Sequence, residues 1–127
     1  MAFVEGKVRT VLRLEGLCIL GAAVFFFAQL SDDWKLFSWL FLVPDLALLG
    51  YLFSPKIGAF TYNCTHSIIG PTILLLLSVL VTNDTALYVS MIWFAHIGFD
   101  RALGYGLKYG SDFHKTHLGK IGSRSSI

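Results

Sequence analysis

Ionisable side chains recur inside stretches of this sequence that are otherwise apolar, and those are the residues to which chemistry can be assigned. Asp45 follows Pro44 in FLVPDLALLGYLF, Asn63 and His66 stand in YNCTHSIIGP, and His96, Asp100 and Arg101 stand in AHIGFDRALGYGLKY. His96 and Asp100 are four residues apart and share a face if the segment is helical; Arg101 and Tyr105 are expected to do the same. A carboxylate one turn from an imidazole orients it and raises its basicity, which suits a general base or a metal ligand. Asp45, His66, His96 and Asp100 are therefore the candidate catalytic residues, with Asn63, Arg101, Tyr105 and Glu15 as candidate substrate-binding residues. His66, His96 and Asp100 are the candidate metal ligands, a mixed set of hard and borderline donors. The bland reading of each is kept beside it. Asp100 can simply pair with Arg101 or a cation on another helix, His96 can bond a backbone carbonyl, Asn63 and His66 can cap and anchor a helix at an interface, and Glu15 can pair with Arg13 or Lys108.

The elements that must position these groups are set by composition. Of 127 residues, 55% are apolar and 14% charged, where a soluble domain carries roughly a quarter charged residues. That balance points to a bilayer as the solvent. The formal charge of +2 is spread along the chain without a basic stripe, so nucleic acid is set aside as a partner. Cys18 and Cys64 have no zinc-finger spacing and are expected to be buried thiols.

Apolar runs cover about Leu12 to Leu30, Leu36 to Phe53, Tyr62 to Val81 and Leu87 to Leu107, each near the roughly 20 residues a helix needs to cross a hydrocarbon core. Period-2 alternation is absent, so the expected fold is an all-α, four-helix transmembrane bundle forming a single domain. The connectors SDDWK, SPKIGAF and TNDT are short and rich in turn formers, which makes consecutive helices antiparallel neighbours. Pro44 is expected to kink the second span at Asp45. The basic N-terminus followed by an apolar run has the outline of a signal peptide, but Glu15 interrupts it and no small-residue cleavage site follows Leu30, so it reads as a retained span. Trp34, Trp39, Tyr62, Tyr88, Trp93, Tyr105 and Tyr109 are placed at the interfacial belts. Gly98, Gly104, Gly106 and Gly110 serve close helix approach. His114 and His117 in the tail, residues 108–127, form no complete metal set.

The segments PD-x-x-x-LGY (Pro44, Asp45, Leu49, Gly50, Tyr51), YN-x-x-H (Tyr62, Asn63, His66), H-x-G-x-DR-x-LGYGLKY and F-x-x-THLG resemble the small bacterial integral membrane proteins grouped as domain of unknown function 4260. The likeness runs from about Leu12 to Gly119. It implies a four-helix protein of a bacterial inner membrane and singles out Asp45, His66, His96, Asp100 and His117.

An ionisable group inside a span costs about 2.5 to 3.5 kcal/mol on insertion scales, so such groups pair or face a wet cavity. With one or more in every run, they are expected to converge on a pocket open to the cytoplasm or the inner leaflet. The leading functional reading is an acid/base or metal-assisted enzyme acting on a lipid or isoprenoid. The alternatives are an accessory subunit holding pigment, quinone or haem within a larger membrane complex, with His96 as axial ligand, and a small proton-coupled transporter built as a homo-oligomer around Asp45 or Glu15. No nucleophile elbow, phosphate loop or zincin motif is present to name a reaction.

Lys and Arg gather in the N-terminal segment (Lys7, Arg9, Arg13) and the tail (Lys108, Lys115, Lys120, Arg124), so both termini are expected in the cytoplasm. Reporter fusions at Ile127 and in the loop 31–35 check this: the first should report cytoplasm and the second the opposite side. A translocated C-terminus would discard an inner-leaflet pocket.

Overall fold

The computed structural model describes residues 6–106, with the backbone of 115–116 and 119–120. Its helices are α1 (Gly6–Leu30), α2 (Trp34–Phe41), a 3-10 helix (Val43–Leu52), α3 (Pro55–His66), α4 (Ile69–Leu80) and α5 (Asp84–Leu103). They assemble as four rods, since α2 runs into the 3-10 helix and α3 into α4. Lys115–Thr116 and Gly119–Lys120 form a two-residue antiparallel pair beyond the bundle. Three stretches, Gly6–Leu30, Trp34–Leu52 and Pro55–Leu80, are long and apolar enough to span a membrane. This is a membrane protein with a helical bundle fold.

Local sequence explains each boundary. Asp33 caps α2 by accepting from Leu36 N at 3.0 Å, and Asn83 caps α5 by accepting from Ala86 N at 2.9 Å. The expected SPKIGAF connector is instead mostly helix: Ser54 accepts from Ile57 N at 3.0 Å and Pro55 stands at the first helical position, a cap-plus-proline start signal. The third rod therefore begins at Pro55 rather than near Tyr62. The fourth ends at Leu103 rather than Leu107, because Gly104 at φ 96° turns the chain and its N–H, with that of Tyr105, closes the last turn on Arg101 O and Asp100 O.

Helix α5 is the inner rod, with Ser90, Met91, Ile92, Ala95, His96, Ile97 and Gly98 buried. It packs along α1, α2 and α4, and being enclosed it can carry polar residues that lipid-facing rods cannot. Its main partner is α1, and not only a chain neighbour as short loops implied. Gly16 lies against Arg101, Leu20 against Gly98 and Phe27 against Met91 and Tyr88, an antiparallel register. Phe27, Met91 and Ile92 centre an aromatic core with Phe37, Phe41 and Tyr88 around them. The outer surface is apolar, with Leu52, Phe53 and Leu80 each about four-fifths exposed, so lipid does the burying there. Cys18 and Cys64 also lie on that outer surface as free thiols, correcting the expectation that both are buried.

A Cβ on Gly98 would sit 2.5 Å from Leu20 N and 2.7 Å from Gly16 O, both backbone atoms of α1, whereas one on Gly21 meets nothing within 4 Å. Gly98→Ala should therefore lower stability by about 1–3 kcal/mol or more, seen as earlier thermal unfolding in detergent, while Gly21→Ala should not.

Candidate metal centre

The site forms where two rods are interrupted. In the second rod, Pro44 has no N–H to give to a helical bond, and the α-helix stops at Phe41. It resumes as a ten-residue 3-10 helix, long for that conformation, so the expected kink is realised as a change of helix type. In the third rod, α3 stops at His66 and Ser67 is extended at φ −83°, ψ 142° before α4 begins. Each break leaves carbonyls without intrahelical partners in an apolar interior, where an unsatisfied group is costly.

Side chains fill those vacancies. His96 Nδ1 bonds Phe41 O, the last carbonyl of α2. Trp93 Nε1 donates to Thr65 O at 2.6 Å and Arg101 Nη2 to His66 O at 3.3 Å. Thr61 Oγ1 lies 2.7 Å from Ala47 O and Thr65 Oγ1 3.1 Å from Pro44 O, clamping α3 antiparallel to the 3-10 helix. His66 Nδ1 is 2.9 Å from Tyr62 O, one turn back, and 2.8 Å from Thr65 Oγ1, and the Tyr62 ring stacks on the His66 ring at 3.7 Å and 6°.

The tautomers are assigned from these bonds: a carbonyl only accepts, so Nδ1 is given the hydrogen in both histidines, and each Nε2 of a neutral ring presents a lone pair. The two Nε2 atoms face each other at 3.1 Å. Asp45 Oδ1 is 3.2 Å from both, and Asp100 Oδ2 is 3.2 Å from His66 Nε2 and 3.1 Å from His96 Nε2. All four donor atoms lie within 4.8 Å of one another. Four ligands held roughly 2.0 Å from one ion in a tetrahedron stand about 3.3 Å apart, and five of the six spacings here are 3.1 to 3.2 Å. Protonating both rings would set N–H against N–H across 3.1 Å, and one proton alone leaves the two carboxylates with a net negative charge. A divalent cation matches both the lone pairs and the two negative charges.

The sequence-expected residues divide around this centre. Asp45, His66, His96 and Asp100 come together, and Asp45 joins the ligand set although only the other three were expected in it. Asp100 forms its ion pairs with the two histidines rather than with Arg101 among the described residues. Arg101 is adjacent and supports His66 through its carbonyl. Asn63 is half-buried on α3, one turn before His66, while Glu15 is exposed on α1 outside the cluster. Tyr105 is exposed beyond the end of α5, so it does not share a helical face with Arg101. Tyr62 and Trp93 turn inward: Tyr62 is buried and Trp93 bonds inside the bundle. Their spacing, four before His66 and three before His96, is the signal for a supporting role. Tyr109, Lys108, His114 and His117 lie outside the described residues.

Beside the centre is an open apolar groove of about 260 Å³, lined by Leu40, Val43, Pro44, Thr65, Ile92 and Trp93 among others. Pro44 and Thr65 immediately precede two ligands, so groove and centre share a wall.

The family model described as Domain of unknown function (DUF4260) matches residues 9–121. The chain belongs to that family. All four residues of the cluster fall within the match. No curated protein and no solved structure matches the chain.

Trp93→Phe keeps the ring but leaves Thr65 O without its donor, so it should cost about 1–3 kcal/mol. Thermal unfolding of the purified protein checks this, and no change would mean that the Thr65 carbonyl has another donor.

Proposed function

We propose that this protein is a membrane-embedded enzyme that uses a divalent transition ion, held by Asp45, His66, His96 and Asp100, to act on a lipid or isoprenoid. The reading rests above all on one observation: four donor atoms from three rods meet within 4.8 Å of one another, five of their six spacings at 3.1 to 3.2 Å, with both histidines held through Nδ1 so that Nε2 turns inward. Two carboxylates balance a dication, which lowers the cost of holding charge in an apolar bundle. An N2O2 set of imidazole and carboxylate suits zinc, iron or manganese. Such an ion supplies Lewis acidity, polarising a carbonyl or phosphoryl oxygen. The adjoining groove offers an apolar wall to a hydrocarbon chain.

With four crossings, α5 being the enclosed one, the N-terminal end of α1 and the C-terminal end of α5 share one side, which the charge distribution assigns to the cytoplasm. On that topology the protein is multi-pass in a bacterial inner membrane, and Asp100 and Arg101 lie toward the inner leaflet. The haem or pigment reading asks for an imidazole with space around Nε2, whereas three other donor atoms crowd His96 Nε2. The transporter reading gains little from Glu15, which is exposed on α1 and not part of Asp45's cluster. A partner subunit or second copy can cover the apolar exterior without changing this assignment.

Protein purified from membranes should contain about one transition ion per chain by elemental analysis, and His96→Ala should lose it. Saturation at about 100 times the dissociation constant adds roughly 2.7 kcal/mol of stability, so a chelator should lower the melting temperature of the wild type and leave that of His96→Ala unmoved. Affinity should fall as pH is lowered, because the ligands bind deprotonated. Turnover of a phospholipid or prenyl substrate should require the ion and vanish in Asp100→Asn. Failure of the wild type to bind any transition ion would overturn the proposal.

A further inference from the structure

The four ligands are not equivalent. The side chains of His66, His96 and Asp100 are 3%, 2% and 14% exposed, and that of Asp45 is 47% exposed. The buried three sit on α-helices and are held by further contacts: the histidines by Nδ1 bonds to Tyr62 O and Phe41 O, and Asp100 by its place one turn after His96. Asp45 instead sits in the first turn of the 3-10 helix, four residues after Phe41, where the α-helix stops. A stretch of 3-10 within a longer rod is a common hinge, and its i→i+3 bonds hold the backbone less firmly than an α-helical ladder. On the same segment Val43 and Pro44 line the apolar groove, and Thr65 lines it from the His66 side.

We infer that His66, His96 and Asp100 are the fixed ligands and that Asp45 is an exchangeable one, whose place on the ion is taken by the polar head of a single-chain amphiphile while its hydrocarbon chain lies in the groove along Val43, Ile92 and Trp93. The inference rests on the proposed ion and adds to it the open position and the substrate class. Two histidines and one carboxylate on one side of an ion leave the opposite side for an incoming oxygen, and Asp45 occupies that side. Asp45 is the ligand least enclosed by protein, and its freed carboxylate stays near enough to take a proton from the incoming group. The groove wall begins at the residue before Asp45, so the chain of a molecule bound in Asp45's place has an apolar path to follow.

Cobalt-loaded protein provides a test independent of turnover, since the visible bands of Co²⁺ report its coordination. Acetohydroxamate and octanohydroxamate are the probes: the same oxygen donors, one carrying a chain. In the wild type both should shift the cobalt spectrum, and octanohydroxamate should bind more than tenfold tighter than acetohydroxamate, each buried methylene contributing about fourfold. Val43→Trp, which fills the groove at a half-exposed position, should leave acetohydroxamate binding unchanged and remove most of the chain advantage in the same detergent. Asp45→Ala should retain one Co²⁺ per chain and bind acetohydroxamate at least as tightly as the wild type, whereas His96→Ala should hold no cobalt. Cobalt bound by the wild type but with bands unmoved by either hydroxamate would overturn the exchangeable ligand, as would loss of cobalt from a folded Asp45→Ala protein. An equal chain advantage in Val43→Trp would overturn the groove. No cobalt binding by the wild type would instead overturn the underlying metal assignment.

Discussion

A backbone carbonyl in an apolar interior must find a donor, and in this protein that requirement builds the site. Two of the four rods break near mid-length, at Leu42 and at Ser67. Lipid supplies no water to the exposed carbonyls. The inner helix α5 answers with Trp93, His96 and Arg101, spaced so that each reaches a helix end: Thr65 O, Phe41 O and His66 O. The bond that satisfies Phe41 O also spends the Nδ1 hydrogen of His96 and turns its other nitrogen inward. Fold and ligand orientation thus come from the same interactions, and the breaks are the price of placing Asp45 and His66 at one level beside α5.

The rest of the bundle makes this possible by enclosing α5. Its polar face is too costly to expose to hydrocarbon, so α1 lies tightly along one side, with Gly16 and Gly98 letting the backbones approach. Small residues of this kind are how membrane helices gain contact without a hydrophobic driving force between them. The second and third rods close the other side, held to each other by hydroxyls of Thr61 and Thr65 on carbonyls of the 3-10 helix.

Much of this was legible in the sequence, and the limits have physical causes. Apolar runs revealed the rods because a bilayer imposes length and hydropathy together, and the costly residues Asp45, His66, His96 and Asp100 stood out against them. Spacing within one helix was reliable: His96 and Asp100, four apart, meet as an i,i+4 pair does. What joined Asp45 to His66, 21 residues away, was inter-rod register, which no local pattern encodes. The same gap hides the inward contacts of Trp93 and Tyr62, since aromatic residues near a span end look alike whether they face headgroups or a buried carbonyl. The spacing of Arg101 and Tyr105 implies a shared face only where the helix continues, and Gly104 between them is a left-handed cap. Pro55 after Ser54 was read as turn chemistry when the pair is equally a helix start.

The charge balance of the centre ties its chemistry to its location. Two carboxylates brought within 4.8 Å of each other repel strongly in a low-dielectric interior, and two imidazole lone pairs turned toward them add to that repulsion. A single proton at one Nε2 leaves a net charge of −1 among the four groups, and protonating both sets the inward N–H groups against each other across 3.1 Å. A dication placed among the four donors lowers every pairwise repulsion at once. It would also leave the set neutral, which is the condition under which such a group can sit inside hydrocarbon. The asymmetry of burial among the four side chains, with Asp45 half-exposed and the other three enclosed, marks the side on which the cluster opens.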